Sequence, residues 1–245
     1  MNKVINRHKI RKWIIVLLIL MVLVVKITLT LQTTYGATDN ALSYIENPAQ
    51  GVTIIDKTRI IEFSPENAKT GMIFYPGALV EPDAYAPLME KLAEQGIKCI
   101  IVRMPYYLAI LDANGARGVR ELYPEVEDWY IAGHSLGGAM ASMYGDSHID
   151  EFKGIIFLAS YPTVDMSDDD IDVLLVRGDQ DKVLNMERYT ESLGLLPENY
   201  QEKVIEGGCH AYFGDYGPQI GDGQPTITVE EQTELTVKEI VDFME

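Results

Sequence analysis

Ser135 stands at the centre of Gly133-His134-Ser135-Leu136-Gly137-Gly138, a hydroxyl set between glycines that let neighbouring backbone approach closely. A serine can attack a carbonyl carbon once a nearby base takes its proton. The apolar run Trp129-Tyr130-Ile131-Ala132 before it reads as a short buried strand, and Ala139 to Tyr144 after it reads as a helix. The hydroxyl therefore falls on a strand-to-helix turn. Such a turn forces the serine toward a strained backbone and presents Oγ above the sheet edge. It also leaves the amide of Leu136, at the N-terminus of the new helix, free to bind an oxyanion.

A base is needed, and the chain has four histidines. His8 lies in a basic flank, His134 belongs to the turn and points away as a packing residue, and His148 sits in the polar segment Gly145 to Asp150. His210 remains. It comes after the strand-like run Glu202 to Ile205 in Gly207-Gly208-Cys209-His210, a loop loose enough to bring an imidazole over Ser135.

The hexapeptide Gly133 to Gly138 resembles the nucleophile elbow of the α/β-hydrolase superfamily, and the resemblance runs from about Gly51 to the C-terminus. It implies an α/β-hydrolase fold, a mostly parallel sheet with helices on both faces, carrying a serine, an acid and a histidine in that chain order. Ser135, Asp181 and His210 meet that order. The run Val176-Arg177-Gly178-Asp179-Gln180-Asp181 ends a strand at the glycine, and Asp181 falls where the superfamily carries its acid. A carboxylate there holds the imidazole in the correct tautomer and stabilises the imidazolium. Asp179, if the turn is wound differently, and Asp165, after the preceding strand, stay open as alternatives. The superfamily also takes a second oxyanion donor from the loop after its first central strand. Here Pro76-Gly77 comes directly after Gly71 to Tyr75, which makes the amide of Ala78 the first choice and that of Leu79 the second.

The resemblance is nearest to small, lidless members such as the dienelactone hydrolases, which typically carry cysteine where this chain has Ser135. It implies cleavage of a carboxylic ester through an acyl-enzyme, a small ester or acyl compound as substrate, and no cofactor or metal. Acyl transfer and peptide cleavage use the same three groups, and a binding protein could keep the fold without turnover.

The elements that must position these groups read in order. Val52 to Ile55 and Arg59 to Phe63 suit an antiparallel hairpin, and Ile97 to Val102, Gly154 to Ala159 and Ile171 to Val176 suit buried strands. Glu81 to Glu94, Lys182 to Leu193 and Val229 to Met244 have helical patterns, the last capped by Thr228. Tyr106 to Pro124 is a looser helical stretch, and Tyr106 and Tyr107 are candidates for an acyl pocket or for the core. Ser160 to Asp170 is too short for a large lid, so the site should be open. Ala211 to Thr226, with Tyr212, Phe213 and Tyr216, could shape a pocket beside the base. Its Asp215 and Asp222 lack the spacing of a calcium loop.

With 245 residues and 47% hydrophobic content the chain suits one large domain. Three segments are expected: 1–37 as a basic flank plus membrane anchor or signal segment, 38–50 as a linker, and 51–245 as the catalytic domain. Lys3, Arg7, Lys9, Arg11 and Lys12 precede the apolar run Trp13 to Val25, which Ile27 to Leu31 extends past Lys26. The basic flank stays in the cytoplasm and so places the remainder of the chain outside it. An uncleaved transmembrane helix is the favoured reading, and cleavage near Thr34-Tyr35-Gly36 would instead release a secreted protein. Beyond Lys26, 14 Lys and Arg face 37 Asp and Glu, a net charge near −23 that repels nucleic acid and polyanions. In the topology that the resemblance implies, Cys99 lies early in a central strand and Cys209 beyond the opposite end of another, so the two should not pair. Nothing in the residues sets the oligomeric state.

Overall fold

This computed structural model describes residues 12, 13, 15–21 and 34–245. Met1–Thr34 and Tyr35–Glu245 are separate compact units. In the first, residues 12, 13 and 15–21 are helical. Among the described residues no helix is long and apolar enough to cross a membrane, so the expected anchor or signal helix gains no support. Most of the run Trp13 to Leu31, with Lys26 and the basic flank before Lys12, lies outside the described residues.

In the second unit the β-branched and aromatic runs pair as strands. They are β1 Val52–Asp56, β2 Ile60–Pro65, β3 Thr70–Tyr75 and β4 Ile97–Val102, then β5 Asp128–His134, β6 Gly154–Leu158, β7 Asp172–Gly178 and β8 Gln201–Ile205. They form one eight-stranded sheet in the order β1-β2-β4-β3-β5-β6-β7-β8. The hairpin of β1 and β2 is antiparallel and β2 meets β4 antiparallel, while every pairing from β4 to β8 is parallel. Because side chains alternate along a strand, β3 sends Met72 and Phe74 into one core and Ile73 and Tyr75 into the other.

Helices cover both faces. On one, α2 (Ala86–Glu94) contributes Leu88, Met89 and Leu92, and the last helix α5 (Val229–Met244) contributes Val237 and Ile240. On the other, α3 (Leu136–Asp146) contributes Met140, Ala141 and Tyr144, and α4 (Met186–Ser192) contributes Tyr189. Thr228 and Glu231 close a reciprocal capping box at the start of α5.

Residues 38–50, expected as a linker, are part of the folded unit. Thr38 caps helix α1 (Asp39–Glu46), whose Ala41 is fully buried and whose Tyr44 and Ile45 pack against the core. Its apolar residues sit at i, i+3 and i+4 in an otherwise polar stretch, one narrow face that composition alone hides. The loose helical stretch expected over Tyr106 to Pro124 is a chain of short 3-10 turns. The helix expected from Lys182 begins only at Met186, where Asn185 accepts from the amide of Arg188.

Candidate active site

Strand β5 delivers Ser135 directly into the first turn of α3, and its backbone takes φ 52° and ψ −124°. A non-glycine residue there costs about 1–3 kcal/mol and persists only where the surroundings fix it. They do so at close quarters. A Cβ on Gly137 would lie 2.1 Å from the carbonyl oxygen of Tyr75, and one on Gly133 would lie 2.5 Å from the backbone of Gly137. Ser160, just beyond the end of β6, donates to the carbonyl of Ser135 at 2.6 Å. Leu79, Tyr106, Tyr107 and Ala159 also have positive φ, which gathers backbone strain at the carboxyl ends of β3, β4, β5 and β6.

Of the three candidate carboxylates, Asp181 is the one hydrogen-bonded to His210, through Oδ2 to Nδ1 at 2.8 Å. Both side chains are 2% exposed. The other oxygen of Asp181 accepts from the amides of Val183 and Leu184, each at 2.8 Å, so the carboxylate is fixed from both ends. Asp179 instead accepts from the amide of Gly207, and Asp165 accepts from Ser167 on the surface. The turns that carry acid and base meet face to face: a Cβ on Gly178 would lie 2.2 Å from the carbonyl oxygen of Gly208. Gln232 of α5 grips Cys209 by both its amide and its carbonyl, and Asp222 joins the amides of Ala211 and Lys182. Asp215 accepts from Asn40. Cys99 and Cys209 are free, buried thiols.

Ser135 and His210 line one cavity of about 350 Å³, with walls from Leu136, Ala139, Met140, Val183 and Leu184. No hydrogen bond joins Ser135 Oγ to His210 among the described residues, and His210 Nε2 is buried without a partner. Such contacts commonly close only when substrate is bound. The amide of Leu136 has no carbonyl to bond within its helix. Leu79 donates its amide to the carbonyl of Tyr107 at 2.8 Å, whereas the half-buried Ala78 has no amide partner among the described residues. The second-choice donor is thereby spent and the first is free.

Tyr106 and Tyr107, considered for an acyl pocket, do not line this cavity, and Tyr106 is 70% exposed. Tyr212, Phe213 and Tyr216 do not line it either. Phe213 and Tyr216 pack around His134 from behind, at ring separations of 5.8 and 6.4 Å.

Sequence reading missed Tyr85. Its hydroxyl accepts from the amide of Gly77 at 2.9 Å and lies 2.9 Å from His134 Nδ1. The His134 ring lies 4.6 Å from that of His210. One buried tyrosine-histidine pair thus ties together the loop before Ala78, the residue before Ser135 and the candidate base. Tyr85 sits in an ordinary amphipathic stretch, and no sequence signal marks it.

Burial, and then the neighbouring His210, hold the His134 imidazole well below its usual 6.5. The unfolded chain takes up a proton there that the fold refuses. Stability should therefore fall as pH drops below about 6.5, towards the depressed folded value. Urea midpoints at pH 7.5 and 5 should show a shallower loss in His134→Asn than in wild type.

A sequence profile described as the alpha/beta hydrolase family matches residues 71–234. The chain belongs to this family. A search of curated proteins finds no match to this hydrolase. Its fold is similar to that of Est1E from Butyrivibrio proteoclasticus, with TM-score 0.57 and 17% identity over 80% of this chain and 99% of that one. It is also similar to the carboxylesterase CesB from Bacillus subtilis, with TM-score 0.58 and 12% identity over 88% and 97% of the two chains. A dienelactone hydrolase from Anabaena variabilis gives TM-score 0.57 and 12% identity over 79% and 99%. At such identities these structures speak for the fold alone.

Proposed function

We propose that this hydrolase cleaves carboxylic esters through an acyl-enzyme on Ser135. The observation that carries the reading is the buried Asp181–His210 pair lining one cavity with a serine held at φ 52°. Asp181 keeps the His210 proton on Nδ1, which leaves Nε2 free to act as base. As Oγ of Ser135 bonds to the ester carbon, Nε2 takes its proton, and the carbonyl oxygen becomes an oxyanion held by the amides of Leu136 and Ala78. Collapse breaks the bond to the alcohol, which leaves with the proton from Nε2. Water then gives its proton to Nε2 and attacks the acyl carbon, and Ser135 departs reprotonated with release of the acid. An esterase and a ferulic-acid complex among the fold relatives are in keeping with this reading.

The test is alkali consumption with a panel of short-chain esters. Turnover should be seen with wild type and not with His210→Ala, and a folded wild type inert to every ester would overturn the reading. Acyl transfer and peptide cleavage use the same groups, and adding alcohol or amine acceptors separates them: transfer yields new esters or amides in place of free acid.

Tyr85 holds Gly77, next to the donor Ala78, so its removal should loosen the oxyanion site without touching substrate. Tyr85→Phe should lower kcat about ten-fold and leave KM nearly unchanged, as steady-state kinetics will read.

For location, the favoured placement remains an uncleaved anchor with the catalytic unit outside the cytoplasm. Tyr35 supports retention: its amide donates to Leu79, its carbonyl accepts from Glu81, and cleavage after Gly36 would cut it away. The mass of the mature protein tests this, since an intact N-terminus is expected and a new terminus after Gly36 contradicts it.

A further inference from the structure

Among the described residues, no carboxylate lines the cavity that holds Ser135 and His210, in a chain with 37 acidic residues. Among the described residues, the one fixed charge on its wall is Arg188. Elsewhere Arg59, Arg103, Arg120 and Arg177 each pair with an aspartate or glutamate, while the exposed Arg117, remote from this cavity, makes no ion pair with a described residue. The guanidinium of Arg188 makes no hydrogen bond or ion pair with a described residue. Its backbone is nevertheless fixed, because its amide donates to Asn185 at 3.0 Å in the first turn of α4. The rest of the wall is mixed: Leu136, Ala139, Met140, Val183 and Leu184 form its apolar part, and Ser160, Tyr161, Thr163 and Asn185 add neutral polar groups.

From these observations we infer that the substrate is an ester carrying one carboxylate on an aliphatic acyl chain, with the chain against the apolar part of the wall and the carboxylate on Arg188. The inference rests on the esterase reading of Ser135 and His210. It also fits the charge of the chain. A net charge of −17 disfavours a polyanion at any distance, and screening leaves a single negative charge free to approach to within a Debye length. Arg188 is an exposed residue on the cavity wall, and its guanidinium offers a planar, paired set of donors that matches a carboxylate. A pocket of about 350 Å³ suits a small acyl compound of this kind.

The experiment compares half-esters with neutral esters of matched length, monomethyl adipate against methyl hexanoate first, using the full-length chain. The ratio of their kcat/KM values should fall about ten-fold in Arg188→Gln, the effect of losing one charge-assisted hydrogen bond. Arg188→Lys should keep part of the preference and Arg188→Glu should reverse it. A ratio equal in wild type and Arg188→Gln overturns the inference and leaves the esterase reading standing. Calorimetric binding of monomethyl adipate to Ser135→Ala, with and without Arg188→Gln, needs no turnover. If no ester is cleaved the esterase reading falls, and the calorimetry decides the anion site alone. Weakening by about ten-fold in the double variant upholds it, and equal or absent binding in both proteins overturns it.

Discussion

Replacing Ser135 with alanine should abolish ester turnover, by roughly 10⁴-fold or more, while leaving the fold intact. The loss is a matter of chemistry, because no other hydroxyl occupies the turn between β5 and α3. Ser160, the nearest in role, already donates to the Ser135 carbonyl. Stability should move in the opposite direction in a companion variant. The backbone of Ser135 is held at φ 52°, and glycine adopts that region without steric penalty. Ser135→Gly should therefore be inactive and no less stable than wild type in urea. An inactive but markedly less stable Ser135→Gly would show that the strain is not stored where the geometry puts it.

Asp181→Asn should lower kcat by about 10⁴-fold with little change in KM. The amides of Val183 and Leu184 hold one oxygen at this position, so an amide side chain keeps its carbonyl there and turns its NH₂ toward His210. That NH₂ can only donate, which drives the imidazole proton onto Nε2 and removes the lone pair that Ser135 needs. Asp179→Ala provides the contrast. Its carboxylate satisfies the amide of Gly207, so its loss should cost about 1–3 kcal/mol of stability and lower kcat less than ten-fold. Equal kinetic losses in the two variants would contradict the assignment of Asp181 as the acid.

The difference between these aspartates marks how far the sequence could be read. Ser135 was legible because everything that makes it unusual is local: an apolar strand, three glycines and a helix within one short stretch. The parallel sheet was legible for the same reason, since its strands are short apolar runs bounded by turns. Asp181 and Asp179 are two residues apart, and their partners separate only when Gly178 meets Gly208 and brings His210 to one and Gly207 to the other. Ala78 and Leu79 are adjacent, and they differ only in the fold, where the Leu79 amide is taken by the distant carbonyl of Tyr107 and that of Ala78 has no partner among the described residues. Helix α1 was hidden by a polar composition whose few apolar residues share one face. Tyr85 and Arg188 gave no signal at all: one is defined by Gly77 and His134, and the other by its place on a cavity wall.

The most direct test of the central claim is to treat the full-length protein with a fluorophosphonate probe and map the modified residue by mass spectrometry, in wild type and in His210→Ala. The proposed mechanism predicts rapid modification of Ser135 in wild type and a loss of at least about 10³-fold in rate in the variant. A folded wild type that takes no label, or one labelled equally fast without His210, would contradict it.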